Sequence, residues 1–149
     1  MNILLVCKAN YCRSPVGHKI LQSKNIPNTQ INSAGIIDFT ASSMHKDSIE
    51  FLRNIGIKDL IHFPKLISSD MINKSDYILV FDYDIYEYFL HNHQSSLKKL
   101  KMFNFLDLHK ETDDPISFDK KTYNKIMSNI HHLSDLIADW IFLHNEKDI

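Results

Sequence analysis

Short apolar runs alternate along the chain with segments whose apolar residues recur at helical spacing. Ile3-Leu4-Leu5-Val6 is an unbroken apolar run of strand length and reads as a buried strand. A helix is predicted from about Val16 to Lys24, with Val16, Ile20 and Leu21 on its inner face. Ile26-Pro27-Asn28 is a turn, and Thr29 to Gly35 reads as a second strand ending at a glycine. Ile36 to Ser43 has no clear period. Met44 to Ile55 carries Met44, Ile49, Phe51, Leu52 and Ile55 mostly at helical spacing, with Gly56 as the stop. Ile57 to Pro64 is irregular. Ser68-Ser69-Asp70 is suited to cap a short helix at Met71 to Lys74. Tyr77-Ile78-Leu79-Val80-Phe81 has the uninterrupted apolarity of a central parallel strand. It ends at Asp82, with a helix predicted at Tyr86 to Asn92 and a fourth strand at Leu100 to Phe105. Leu106 to Ser117 is a loop. From Phe118 onward, Tyr123, Ile126, Ile130, Leu133, Ile137, Trp140 and Ile141 share one face of a long helix.

Strands and helices in alternation imply an α/β fold: one domain over residues 1–149, with a four-stranded parallel sheet and helices on both faces. Ligands of such sheets bind outside the C-terminal strand ends, where Cys7, Ser33 and Asp82 fall in this reading.

Composition narrows the class. Seventeen Lys and Arg against 18 Asp and Glu leave no polyanion-binding excess, so nucleic acid is not an expected partner. Two cysteines on one loop make no disulfide framework and suit a reducing compartment. The first apolar run is too short for a signal-peptide core, and no run approaches the ~20 residues of a membrane span. A cytoplasmic protein without membrane insertion is expected.

The chemistry gathers at Cys7-Lys8-Ala9-Asn10-Tyr11-Cys12-Arg13-Ser14-Pro15, between the first strand and the first helix. Pro15 suits a first helical position. Five residues between Cys7 and Arg13 suffice to curl so that successive N–H groups point inward at an anion, and the helix N-terminus adds partial positive charge there. Arg13 closes the cradle with a planar fork matching two phosphate oxygens. A cysteine in such a nest is favoured as the thiolate, and Ser14 is placed to donate a hydroxyl hydrogen bond to it. The bland alternative is a buried strand cysteine beside a helix-capping serine.

Cys-x5-Arg-Ser is the spacing of cysteine-dependent phosphatases. The chain resembles the low-molecular-weight protein tyrosine phosphatases of bacterial type, whose N-terminal phosphate-binding loop has the form Cys-x-Gly-Asn-x-Cys-Arg-Ser-Pro. Cys7, Asn10, Cys12, Arg13, Ser14 and Pro15 match that form, and Ala9 replaces the usual Gly. The resemblance implies Cys7 as nucleophile, Arg13 as phosphate clamp and Asp114 as general acid. Asp114-Pro115 is the one Asp-Pro pair and precedes the last helix, where the family carries its acid; Asp113 is the poorer match. Substrate-binding positions by the same resemblance are Lys8, Ala9, Asn10, Tyr11, Cys12, Ser14 and Ile116. Ile116 stands where the family usually has a tyrosine against the substrate's phenyl group, leaving Phe118 or Tyr83 as the ring expected to replace it. Lys8 either attracts acidic residues near a phosphosite or is a solvated lysine. Tyr11 replaces the Ile of tyrosine phosphatases and the Thr of their arginine-phosphatase relatives.

Ser33, His62 and Asp82 match supporting positions. Asn10 takes a left-handed backbone in the family, held by hydrogen bonds from partners at the Ser33 and His62 positions. Cys12 is positioned for a reversible disulfide with Cys7. His91, His93, His131 and His132 lack ligand-spaced partners and read as surface histidines, so no metal or cofactor is expected.

The implied function is hydrolysis of phosphotyrosine through a phosphocysteine intermediate, opposing a bacterial tyrosine autokinase in capsule or exopolysaccharide control. The implied partners are a tyrosine-phosphorylated protein and, in the loop, phosphate or other oxyanions. An arsenate reductase on this fold needs two further cysteines that the chain lacks. A protein-arginine phosphatase and a non-catalytic phosphoprotein-binding module stay open.

Overall fold

The computed structural model describes residues 1–147. Its elements run β1 (Asn2–Cys7), α1 (Arg13–Ser23), β2 (Gln30–Gly35), α2 (Lys46–Asn54), α3 (Ser69–Lys74), β3 (Tyr77–Val80), α4 (Tyr83–Asn92), a 3-10 helix (Gln94–Lys99), β4 (Leu100–Met102) and α5 (Lys120–Lys147). The four strands form one sheet in the order β2-β1-β3-β4, parallel throughout. Both neighbours of β1 are parallel to it, so its Ile3 to Val6 are covered on each face and wholly buried. Helices α1 and α5 pack together with α2 against both, while α3 packs on β1 and α4 on β3 and β4. Tyr123, Ile126, Met127, Ile130, Leu133, Ile137 and Ile141 of α5 supply one wall of the core.

Register aligns the strand ends that matter. Cys7 pairs with Gly35, and Val6 with Val80, so the chain leaves β1, β2 and β3 at one level. Just beyond that level, Asp82 caps α4 by accepting the Ile85 N–H at 3.0 Å.

Several boundaries differ from the sequence reading, each for a local reason. Helix α1 starts at Arg13, three residues early, so Ser14 and Pro15 lie inside its first turn. Helix α2 starts at Lys46 because the His45 ring accepts the Asp47 N–H and caps it; Met44 precedes the helix as a buried core residue. The cap by Asp82 likewise starts α4 at Tyr83 rather than Tyr86. Strand β4 stops at Met102: Phe103 still bonds to the Val80 carbonyl, but Phe105 and Asp107 turn back onto Met102 and Asn104. Helix α5 starts at Lys120, with Phe118 in the preceding turn. The 3-10 helix lies between the predicted α4 and β4, where the sequence reading assigned no element.

Candidate active site

The loop from Cys7 to Arg13 is built from below. A Cβ added at Gly35 would stand 2.6 Å from the Ala9 carbonyl carbon and 2.8 Å from the Asn10 nitrogen. Only a glycine lets the end of β2 approach the loop this closely. The Lys8 carbonyl accepts from both Ile36 and Ile37, tying the start of the loop to the segment after β2.

Asn10 is the hub. Its backbone is left-handed, φ 55°, and its side chain is wholly buried. The Lys65 N–H donates to its Oδ1 at 2.9 Å, which fixes the amide orientation and aims Nδ2 at two hydroxyls, Ser14 at 2.8 Å and Ser33 at 3.0 Å. His62 Nε2 lies 2.8 Å from the Asn10 carbonyl and is the donor of that bond. Burial holds the His62 ring below its ordinary titration range, with Lys19 and Lys65 adding to the effect. The Asn10, Ser33 and His62 positions thus meet in one network.

That network ends on the nucleophile position. Ser14 Oγ sits 3.0 Å from Cys7 Sγ and, having accepted from Asn10, has its own proton to give to the sulfur. Cys7 is buried and free of any disulfide, as is Cys12. Burial pushes the Cys12 thiol up to about 12, so it is protonated at neutral pH. As an attacking group toward an oxidised Cys7, it therefore starts from the unreactive form. Its carbonyl is pinned by Ser48 Oγ at 2.8 Å, and the Tyr123 hydroxyl lies 2.6 Å from that same Oγ.

Arg13 is 1% exposed, and its orientation is set on one side only. Nη1 donates to Asp82 Oδ2 and to the Thr112 carbonyl, each at 2.8 Å. The Phe81 ring lies 5.9 Å from the guanidinium carbon. Among the described residues Nε and Nη2 meet no protein acceptor, which leaves them for a bidentate anion. Cys12 caps α1 without any side-chain hydrogen bond, so the first-turn N–H groups are not taken by a cap.

One pocket, of about 170 Å³, is lined by Cys7, Lys8, Ala9, Tyr11, Cys12, Arg13, Ile37, Phe39, Asp114 and Ile116. Asp114 is half-buried, with Pro115 buried behind it, and its Oδ1 accepts the Ile116 N–H at 3.2 Å. Neither Phe118 nor Tyr83 lines the pocket: Phe118 is exposed and Tyr83 stacks on Tyr86. The ring on that rim is Phe39, tilted against Tyr11 at 4.7 Å between centroids. Behind Tyr11 stand His45 and then Tyr123, at 5.4 and 5.2 Å.

Ile37, Phe39, Gly35, Thr112 and His18 were not singled out by sequence reasoning. Ile37 and Phe39 lie in the stretch after β2 that has no clear period, so the pattern does not mark them. Thr112 acts through its carbonyl, which no side-chain pattern reveals. Among the histidines read as surface groups, His93 is instead half-buried against Tyr88 and Phe89, and His131 half-buried against Phe51. Among the described residues no cluster of His, Cys, Asp or Glu is arranged to hold a metal ion.

The family model described as low molecular weight phosphotyrosine protein phosphatase matches residues 2–141 of this chain. The low molecular weight protein-tyrosine-phosphatase Ptp of Acinetobacter johnsonii is 35% identical over 79 residues, 53% of this chain and 55% of its own length. The chain thus spans about half the length of the curated relatives it matches. Two of the solved structures that share the fold are phosphatases. The YwlE arginine phosphatase from Geobacillus stearothermophilus has a TM-score of 0.89 over 98% of this chain and 96% of its own, at 20% identity. The tyrosine phosphatase Wzb from Escherichia coli K30 has a TM-score of 0.86 over 94% and 97%, at 24% identity.

Proposed function

Because the chain belongs to the low molecular weight phosphotyrosine protein phosphatase family, we propose that it hydrolyses phosphotyrosine in proteins through a phosphocysteine at Cys7. One observation carries this reading: Cys7, Arg13 and Asp114 line the same pocket, with a hydroxyl on the sulfur and an aligned guanidinium.

The phosphoryl group enters with its oxygens on Arg13 Nε and Nη2 and on the loop N–H groups, which neutralise its charge. Cys7 Sγ attacks phosphorus and forms the S–P bond as the P–O bond to the phenol breaks. Asp114 donates its proton to the leaving oxygen. In the second half, water attacks phosphorus, Asp114 takes the water proton, and the S–P bond breaks to release phosphate and thiolate. Ser14 offers its hydrogen to the sulfur in the free and departing states.

The tilted Tyr11–Phe39 pair, with Ile37 and Ile116, makes an apolar wall that suits the face of a phenyl ring. Lys8, exposed at the pocket rim, suits a carboxylate beside the phosphosite. Resemblance to bacterial tyrosine phosphatases supports a tyrosine-phosphorylated partner of the autokinase kind, in exopolysaccharide control; this part is analogy. No helix among the described residues is long and apolar enough to cross a membrane.

The test is phosphate release from phosphotyrosine, phosphoserine and phosphoarginine peptides in chelator, with wild type and Cys7→Ser. Turnover of phosphotyrosine that is lost in Cys7→Ser, with a phosphocysteine trapped by rapid acid quench, is the expected result. Preference for phosphoarginine would keep the mechanism and replace the substrate. Oxyanion binding without turnover of any ester would leave a phosphoprotein-binding module.

A further inference from the structure

We propose that His18 is a positioning residue for the nucleophile: its Nδ1 accepts the Ser33 hydroxyl and so holds Ser33 against the Asn10 amide, whose other N–H reaches Ser14 beside Cys7. His18 lies on α1 four residues after Ser14, hence on the same helix face, and is 9% exposed. Its Nδ1 stands 2.8 Å from Ser33 Oγ.

Donors and acceptors along the chain leave one assignment. The Lys65 N–H occupies Asn10 Oδ1, so the Asn10 amide can only donate toward Ser14 and Ser33. Each hydroxyl accepts one of those hydrogens and has one proton left to give. Ser14 gives its proton to Cys7 Sγ. Ser33 has one remaining partner among the described residues, His18 Nδ1, so that nitrogen is the acceptor and the ring carries its hydrogen on Nε2. A hydrogen on Nδ1 would leave the Ser33 proton buried without an acceptor. Ser33 would then turn from Asn10, loosening on one side the amide whose other N–H donates to Ser14.

The surroundings keep the ring in the accepting state. Burial pushes His18 down to about 4, and Lys19 of α1 with His62 and Lys65 of the facing segment work in the same direction. Asp59 of that segment opposes them, but it is itself held by Lys19 at 3.1 Å. Substituting an asparagine would preserve an acceptor near Nδ1, whereas leucine would keep the volume and remove it.

The inference deepens the phosphatase reading and rests on it for its kinetic arm alone. The first measurement is the ring ¹⁵N spectrum of the full chain, with His18 assigned by its absence in His18→Asn. Protonated Nε2 and bare Nδ1 at neutral pH are expected; a hydrogen on Nδ1, or an imidazolium, overturns the proposal. The second is iodoacetate alkylation of Cys7, read by mass on its own tryptic peptide, beside kcat and KM for an aryl phosphate. In His18→Leu both alkylation and kcat fall about 10-fold or more, and in His18→Asn both stay within about 3-fold of wild type, with KM little changed. Equal losses in the two variants mean packing alone and overturn the proposal, as does an unaffected His18→Leu. If wild type hydrolyses no ester, the phosphatase reading fails while the spectrum and the alkylation rates still decide the role of His18. Should His18→Leu not fold, the ring spectrum and the His18→Asn rates decide it.

Discussion

Gly35 and Ala9 are in backbone contact that no larger residue at position 35 would permit: an added Cβ would sit 2.6 Å from the Ala9 carbonyl carbon. The atom it meets is main chain, so no rotamer change relieves the clash, and the floor of the phosphate loop must move. Gly35→Ala is expected to lower kcat on an aryl phosphate about 100-fold, because misplacing reacting groups by an ångström costs that much. Vanadate affinity should fall in parallel while the circular dichroism of the helices is unchanged. Unaltered vanadate binding would show that the loop does not rest on β2.

Arg13 depends on Asp82 in a second way, through charge. The guanidinium is buried, and Asp82 is its one anionic partner among the described residues, at 2.8 Å. The same carboxylate caps α4. Asp82→Ala therefore leaves a buried cation with one carbonyl partner and an uncapped helix, a loss of about 2–4 kcal/mol in urea unfolding. Asp82→Asn keeps an acceptor for the cap and for Nη1, and should lose less than half of that. Equal losses in the two variants would mean that the charge, which both lack, accounts for the whole effect and the acceptor for none.

The legibility of the sequence followed the range of the physics. Ile3 to Val6 and Tyr77 to Phe81 announce buried strands because both faces of a central parallel strand must be apolar, and the periodic face of α5 needs only local spacing. Helix starts were displaced where a side chain outside the apolar pattern set them, as Asp82 does for α4 and His45 for α2. Within the site, Cys7 to Pro15 is contiguous, and its fixed spacing carries the chemistry. Thr112 reaches Arg13 from far along the chain by a main-chain atom, and His18 meets Ser33 from a helix position to which the apolar pattern gives no role. The pocket ring is not legible in the sequence because Phe39 comes from an aperiodic loop far from Asp114 along the chain.

The Tyr11–Phe39 wall predicts selectivity for aryl esters. Phe39→Ala should raise KM for phenyl phosphate about 3–10-fold, the worth of one aromatic contact, while leaving glycerol phosphate, which has no ring, nearly unchanged. Tyr11→Ala should do the same with a larger effect, since Tyr11 also supports Phe39. A uniform loss on both esters would mean that the wall shapes the loop and does not touch the substrate.

Asp114 as general acid predicts a dependence on leaving group. Phenolate of a tyrosine needs a proton as it departs, whereas p-nitrophenolate departs largely without one. Asp114→Asn should cut kcat for phosphotyrosine about 100-fold or more and be far milder on p-nitrophenyl phosphate. Asp113→Asn, the neighbouring carboxylate that does not line the pocket, should be close to wild type on both. A reversed ranking would move the acid to Asp113.

Two buried histidines predict how stability changes with pH. His18 is pushed from an ordinary 6.5 down to about 4, chiefly by burial, and His62 is shifted the same way. The unfolded chain therefore binds more protons than the folded one between about pH 6.5 and pH 4, so stability is full above that window and drains as pH falls through it. At about pH 4.5 the His18 share of the loss is about 2–3 kcal/mol relative to neutral pH, with His62 adding to it. Asp47 and Asp59, whose carboxyls are held low by Lys120 and Lys19, act in the same direction only below about their ordinary 3.8. Urea midpoints across this range should fall steeply for wild type and less steeply for His18→Asn, which has nothing to protonate at that site. Parallel curves for the two would mean that His18 already carries its proton in the folded chain, and with it that Ser33 has no acceptor there.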